Sequence, residues 1–213
     1  MLACFLRRWV IRFSVVTTMI RSFLQVRVPA WPVQDPTMAA RTSDIAADSQ
    51  AQILVLWGGE VRNERALFGR REGAPGSLLT SERREQALHG AQAAVWETQR
   101  CLVPISGFSV DGAGSNGGRW ICEDPGPLFA AGLRSAVQTR EGFHLSCFSL
   151  LTDPGDGDDH PAEVPVLIGA DDVIEWFYLD GAEAMRRMAQ LPPRRFISVD
   201  SALRRTSLQG KVH

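Results

Sequence analysis

FHLSCFSLL, residues 143–151, begins with alternating apolar and polar side chains, the period of a strand that buries one face. The next residues, TDPGDGDDHPAE at 152–163, combine turn-forming proline and glycine with five carboxylates. Proline fixes φ, glycine allows positive φ, and neighbouring carboxylates repel one another. The pattern therefore predicts a strand that runs into a solvated loop.

Two apolar runs and a helix are predicted after this loop. VPVLI at 164–168 and VIEWFYL at 173–179 are rich in β-branched and aromatic residues, and the intervening GADD predicts an antiparallel hairpin. Asp180 is suited to cap a helix, and Glu183, three residues later, completes a capping box. Pro192-Pro193 ends that helix.

The preceding half of the chain adds further strands and helices. Gly58-Gly59 predicts a tight turn between strands at 52–57 and 60–68. The remaining predictions are helices at 81–100 and 127–138, strands at 105–110 and 119–123, and a last strand at 195–199 followed by a short helix at 201–209. Few strand–helix–strand crossovers result. The predicted fold class is therefore α+β, an antiparallel or mixed β-sheet with helices packed mainly on one face.

The N-terminal segment differs from the rest of the chain. Residues 1–28 are apolar and arginine-rich without an acidic residue, and 29–50 form a proline-containing linker. Arginines interrupt every apolar stretch that could be a secretory signal or a spanning helix, which leaves a transit peptide or a membrane-surface helix. A true start at Met19 or Met38, instead of Met1, is the favoured alternative. We expect residues 1–50 to be disordered or not native, and 51–213 to form a single α+β domain.

Composition limits the function classes. The chain is 45% hydrophobic and 22% charged, as in ordinary globular proteins, and its formal net charge of -1 gives no reason to expect nucleic acid as a partner. The four cysteines lack a regular spacing, so reduced thiols in a cytoplasmic protein are expected. Lys211 is the only lysine among many arginines, a bias that indicates a GC-rich bacterial source.

The glycine-rich stretch GAGSNG, residues 112–117, resembles two catalytic motifs in its letters. It matches the dinucleotide-binding string and a variant of the hydrolase nucleophile elbow, both of which require a helix directly afterwards. Because residues 119–122 have the pattern of a strand, we predict a hairpin tip and no cofactor. Ser115, with Asp156 and His160, remains the candidate set for a hydrolase.

Two other groups of residues are weak candidates for sites. Asp153, Asp156, Asp158 and Asp159 could bind a hard cation, but no reading frame supplies the twelfth-position glutamate of a calcium loop. A solvated loop without a metal is therefore expected. Trp176 and Tyr178 share one face of the strand predicted at 173–179 and could line a ligand-binding groove.

The leading prediction for function is a cytoplasmic protein-binding module without catalytic activity. Segregated charge and aromatic strands favour a protein partner, with no role for nucleic acid or membrane, while the oligomeric state is left open. The first alternative is a small-molecule hydrolase that uses Ser115 near the glycine-rich loop. The second is a membrane-surface protein that binds through residues 1–28. A deep pocket would favour the enzyme, and an open sheet face or edge would favour the binding module.

Overall fold

The computed structural model describes residues 19–26, 42–71, 78–87, 96–111, 118–123, 127–138, 142–156, 160–191 and 194–200, and most of these lie in β-strands. The strands are β1 Ile20–Val26, β2 Thr42–Ala46, β3 Gln50–Trp57, β4 Glu60–Phe68, β5 Arg70–Arg71, β6 Leu78–Leu79, β7 Ser81–Arg83, β8 Arg100–Val110, β9 Gly118–Cys122, β10 Leu128–Gln138, β11 His144–Pro154, β12 Glu163–Pro165, β13 Leu167–Gly169 and β14 Phe196–Ser198. The helices are α1 Arg84–Ala87, α2 Val173–Tyr178 and α3 Gly181–Ala189, with a 3-10 turn at Ala170–Asp172 before α2.

Five of the strands close into a barrel. They pair in the order β8, β3, β4, β11 and β10, and β10 pairs with β8 to complete the ring. Each pair in the ring is antiparallel except β4 with β11, which run in the same direction. Strand β8 is long enough to join two regions, because its first half pairs with β3 and β10 and its second half with β1 and β9.

The two sides of the sheet bury separate apolar clusters. Successive side chains on a strand point to opposite faces, so Ile53 and Val55 of β3 enter one cluster and Leu54 enters the other. The first cluster is lined by the other strands and holds the aromatic rings of Phe68 and Phe148. The second cluster lies beneath α2 and α3, so these helices cover one outer side of the barrel.

The predicted α+β class is wrong, because a mostly β chain closes into a barrel instead of supporting a layer of helices. One cause is the segment 127–138, which was predicted to be a helix and is strand β10. Its alanines and leucines favour a helix, but residues Leu128 to Leu133 are all buried, with β8 on one side and β13 followed by β11 on the other. At Gly132 a Cβ atom would lie 2.6 Å from the Ser149 carbonyl oxygen, so the strands approach closely where a larger residue has no room.

The helix predicted at 81–100 is wrong at both ends. Ser81–Arg83 is strand β7, which runs parallel to β11, and Arg100 opens β8. Only Arg84–Ala87 and residues 96–98 are helical among the described residues of this segment, since 88–95 lie outside them. The Ser81 hydroxyl donates to the carboxylate of Glu163.

The strand predicted at 173–179, and with it the hairpin from 164–168, is also wrong. Residues Val173–Tyr178 form helix α2, and β13 pairs with β10. Val173, Trp176 and Phe177 are the buried residues of α2, at the three- and four-residue spacing of a helix that packs on one side. The β-branched and aromatic composition therefore misled the prediction, while the spacing contained the helical signal.

Several local predictions are confirmed. The β3–β4 hairpin turns at Gly58 and Gly59, whose φ angles are 60° and 80°, as a type I′ turn requires. Strands β8 and β9 pair antiparallel on either side of the glycine-rich stretch, although residues 112–117 themselves lie outside the described residues. Asp180 caps α3, because its Oδ1 accepts from the Glu183 amide at 2.8 Å.

The N-terminal segment contributes to the folded sheet. Strand β1 lies between β2 and β8 and pairs antiparallel with both. Ile20 and Phe23 are fully buried, and the Phe23 ring lies edge-on to Phe68 with 4.9 Å between centroids. The folded part therefore begins earlier than the predicted boundary at residue 51. Residues 1–18 and 27–41 lie outside the described residues, and none of the described helices is long and apolar enough to cross a membrane.

Candidate interaction surface

Exposed apolar side chains gather around the turn of the β3–β4 hairpin. Trp57, the last residue of β3, is 59% exposed although its strand is otherwise well buried. Since strand side chains alternate, Trp57 points to the face opposite Leu56, which packs toward the helices. Trp57 therefore projects from the side of the hairpin that the helices leave uncovered.

Helix α2 presents two more apolar side chains beside the same turn. Ile174 is 49% exposed and Tyr178 is 55% exposed, and their four-residue spacing places them on one helix face. The Tyr178 hydroxyl donates to the Gly59 carbonyl oxygen at 2.5 Å, which fixes the helix end against the turn. We use the name tip surface for the exposed residues on both sides of the β3–β4 turn, which are Trp57 on one side and Ile174 and Tyr178 on the helix side.

The two residues proposed as a ligand-binding pair lie on different sides of helix α2. On a helix, residues two apart point in nearly opposite directions, so Trp176 and Tyr178 cannot share a face. Trp176 is 3% exposed and lies edge-on to Trp96, with 5.2 Å between ring centroids. Trp176 thus supports α2 from below, while Tyr178 lies on its outer side.

A buried arginine holds the end of α2 in place. The Arg100 Nη2 donates to the carbonyl oxygens of Phe177 and Leu179, at 3.3 and 2.7 Å, and so neutralises the negative end of the helix. Its guanidinium also lies over the Trp176 ring, 5.6 Å from the centroid. Burial lowers the pKa of Arg100, although the carboxylates of Glu97 and Asp180 act in the opposite direction.

The junction between α2 and α3 is equally constrained. The Trp96 indole donates to the Gly181 carbonyl oxygen at 3.0 Å, and the Gly181 amide donates to Glu97 at 2.9 Å. A Cβ atom at position 181 would lie 2.5 Å from the Trp96 ring, so only glycine fits there without a shift. The tip surface is therefore carried by a rigid support.

Acidic groups lie along the exposed side of α2. Arg187 of α3 bridges Asp172 and Glu175, at 3.1 and 2.8 Å, and Glu175, followed by Asp172, raises the pKa of Arg187. The carboxylates of Asp172 and Glu175 and the guanidinium of Arg187 together carry one net negative charge. The exposed Asp171 adds a second. On the hairpin, Glu60 is already paired with Arg62 at 2.6 Å. The tip surface thus combines aromatic rings with a moderately negative border.

The candidate hydrolase residues are only partly described. Ser115 lies outside the described residues, Asp156 is exposed and His160 is half-buried. The structure therefore does not place the three side chains together, and the hydrolase stays an untested alternative.

Only two of the four candidate cation ligands, Asp153 and Asp156, lie in the described part of the chain. Asp158 and Asp159 lie outside the described residues. Asp153 forms an ion pair with Arg84 at 3.0 Å, and burial raises the pKa of its carboxyl group, with Arg84 acting in the opposite direction. In the described part of the chain, no three histidine, cysteine or acidic side chains are grouped as a metal site would require.

Sequence reasoning missed a buried polar cluster around β7. Glu82 accepts from Ser149 at 2.5 Å and pairs with Arg70 at 3.4 Å, with both charged side chains almost fully buried. Next to it, Glu163 accepts from Ser81 and Arg83, each at 3.1 Å, and burial raises the pKa of Glu163. The partners are as much as 82 residues apart, so no local pattern could reveal them.

One of the described cysteines is chemically inert. Cys101 is fully buried, and this burial strongly raises the pKa of its thiol, so the nucleophilic thiolate does not form near neutral pH. The described cysteines, Cys101, Cys122 and Cys147, are not joined in disulfides, as the irregular spacing predicts.

Comparison with known proteins identifies relatives of the fold. No known protein family and no curated protein matches the sequence. A phage-related protein from Bordetella bronchiseptica has a similar structure, with a TM-score of 0.62 and 19% identity over 84% of this chain and 93% of the other. A second protein from Bordetella bronchiseptica has a TM-score of 0.61 and 15% identity, over 84% and 99% of the two chains. A protein from Bacteroides thetaiotaomicron gives 0.52 and 15%, over 68% and 71%.

These similarities show the fold alone, because identities of 15–19% do not carry function from one protein to another. All three neighbours come from bacteria, which agrees with the bacterial source that the composition indicates.

Proposed function

We propose that this protein is a non-catalytic interaction module that binds another protein through the tip surface. The observation that carries the proposal is the exposure of Trp57, Ile174 and Tyr178 around one turn, at 59%, 49% and 55%. Large aromatic and branched side chains are the usual anchors of protein interfaces, because they bury much area at little entropic cost. Their exposure on a rigid support is costly unless a partner covers them.

The partner that fits best is a basic segment of another protein. The border of the tip surface carries Asp171 and the negative group of Asp172, Glu175 and Arg187. A guanidinium or ammonium group gains both from this charge and from the faces of the Trp57 and Tyr178 rings. The reduced thiols of Cys101 and Cys147 support the further proposal that binding takes place in the cytoplasm.

Photo-crosslinking in the native host tests the proposal directly. A benzophenone amino acid is placed at position 57 or 174 in the full chain, with position 65 on β4, where Arg65 is exposed, as the matched control. The proposal predicts the same protein adduct from positions 57 and 174 and none from 65, with the crosslink mapped to an arginine- or lysine-rich segment. No adduct from either tip position, or equal adducts from all three, would contradict it.

A further inference from the structure

The second half of β8 carries the sheet beyond the barrel, where strands β2, β1, β8, β9 and β14 lie side by side and every neighbouring pair is antiparallel. Paired residues on neighbouring strands lie on the same face of a sheet. The register therefore defines one row across the five strands, which consists of Asp44, Leu24, Gly107, Ile121 and Ile197. The residues that precede or follow this row along the strands, Phe23, Phe108 and Trp120, are buried in the core. The row itself thus lies on the outer face, and we call it the outer row.

The outer row has an apolar centre. Leu24, Ile121 and Ile197 are half-buried, although they lie on the side of the sheet that faces away from the core. A Cβ atom at Gly107 would lie 3.2 Å from the Leu24 side chain and 3.1 Å from the Ile121 side chain, so these two side chains approach each other above the glycine. An antiparallel sheet that buries one face usually has polar side chains on the other. A continuous apolar patch there indicates a surface for another molecule.

Two charges of opposite sign lie at the two sides of this apolar centre. Arg119 lies two residues before Ile121 on β9, and its guanidinium donates to the Asp44 carboxylate on β2, across the two strands between them. The Arg119 side chain is 47% exposed and that of Asp44 is 45% exposed, so the pair is open to exchange with charges from another molecule. The face thus carries a negative group on β2 and a positive group on β9.

We infer that this face packs against the same face of a second copy of the chain. A two-fold axis that is parallel to the strands and passes between β1 and β8 places β2 of each copy over β9 of the other. Asp44 of each copy then lies opposite the strand that carries Arg119 of the other, and the two apolar centres face each other. A surface with one negative side and one positive side complements itself under this rotation. The second copy therefore satisfies both charges while it covers the apolar patch.

The size of the face determines the strength of the dimer. Strands β2 and β9 are each five residues long, so the four strands from β2 to β9 cover roughly 17 Å by 19 Å. This area is smaller than the about 800 Å² per partner of a standard protein interface. We therefore expect a dimer that dissociates on dilution.

A charge-swap pair tests the dimer by sedimentation velocity of the full chain over a concentration series that reaches about 1 mM. Asp44→Arg and Arg119→Asp each place like charges opposite one another in both contacts of the dimer, so each variant alone should be monomeric. Mixed in equal amounts, the two variants should form a heterodimer, because every charge then meets an opposite one. An ion pair that acts only within one chain cannot bring the two variants together. Glu60→Arg, which breaks the exposed pair with Arg62 instead, is the control and should dimerise like the native chain.

Three outcomes of this experiment overturn the inference. They are a native chain that stays monomeric throughout the series, a single charge variant that dimerises as strongly as the native chain, and a mixture of folded variants that does not associate. Circular dichroism checks the fold of each variant, which we expect to be native because exposed ion pairs contribute little to stability.

Leu24→Ser keeps the test decisive if a charge variant does not fold. It removes apolar area from both sides of the interface while leaving Asp44 and Arg119 in place, so association should weaken about tenfold or more. A Leu24→Ser dimer of native strength overturns the inference. None of these three residues belongs to the tip surface, so the result is independent of the proposed binding of a basic partner there.

Discussion

At the residue scale, the buried carboxyl group of Glu163 and the half-buried one of Asp153 make stability depend on pH. Glu163 is 3% exposed and is packed against Ser81, Arg83 and Thr152, and burial raises its pKa more than these partners lower it. Asp153 has a raised pKa for the same reason. A group with a higher pKa in the folded state binds its proton more strongly there than in the unfolded chain.

The sign of the pH effect follows from this difference. Below its ordinary pKa of 4.5, Glu163 is protonated in both states, and its favourable contribution is fully present. As the pH rises through the raised, folded-state pKa, that contribution is lost. We therefore expect Glu163 to increase the free energy of unfolding as the pH falls from neutral toward its ordinary pKa of 4.5.

Chemical denaturation of Glu163→Gln across this pH range measures the contribution. The substitution removes the titrating group but keeps an oxygen that can accept from Ser81, so the increase in stability toward acid pH should be smaller than in the native protein. Glu60→Gln, at an exposed site, is the control and should keep the native pH dependence. A Glu163→Gln curve parallel to the native one would contradict the assignment.

Residue-level chemistry was predictable from the sequence where the partners are local. The cap from Asp180 to Glu183 spans three residues, so a short pattern contains all the information. The bond from Ser149 to Glu82 spans 67 residues and depends on the parallel placement of β7 beside β11. No local rule brings those two side chains together.

At the element scale, the strongest sequence signals were those of turns. Gly58-Gly59 and the β8–β9 hairpin were predicted because glycine adopts the positive φ angles of a tight turn without steric cost. Composition was a weaker guide in β10 and α2. In β10, burial on both faces outweighed the helical propensity of the alanines and leucines. In α2, burial of one helical stripe outweighed the strand propensity of the β-branched and aromatic residues.

The tip surface was only partly predictable for the same reason. Tyr178 was chosen from a strand that does not form, and Trp57 was not among the candidate residues. The position of Tyr178 beside the β3–β4 turn depends on its hydrogen bond to Gly59, a contact between residues 119 apart.

Strand β1 provides an element-scale prediction. It lies between β2 and β8 and buries Ile20 and Phe23 completely, and the Ile20 amide donates to Ser81 at 3.3 Å. A chain that begins at Met38 lacks this strand, and the exposed edge and lost core should exceed the usual margin of stability, about 5–15 kcal/mol. Calorimetry should therefore show no cooperative unfolding for this chain.

A chain that begins at Met19 is the matched control for β1. It keeps the whole strand, so it should unfold cooperatively. Cooperative unfolding of the Met38 chain at the native temperature would show that β1 is dispensable.

At the scale of the whole molecule, the closure of the barrel could not be predicted from the sequence patterns. The pairing of β10 with β8 joins strands that are separated by β9, and the parallel pairing of β4 with β11 joins segments about eighty residues apart along the chain. Local periodicity describes one element at a time, so it cannot specify which strands complete a ring. Neighbours with only 15–19% identity have a similar fold, so the fold does not depend on one particular sequence.

The most direct test of the central claim is affinity capture from the native host with the full chain and two variants. The double variant Trp57→Ser and Ile174→Ser removes two anchors of the tip surface, while Phe143→Ser changes a comparably exposed residue elsewhere, at 70% exposure. We predict that the native chain and Phe143→Ser retain the same basic protein, that raised salt releases it, and that the double variant binds it about thirtyfold more weakly. Equal retention of that protein by the double variant would contradict the account.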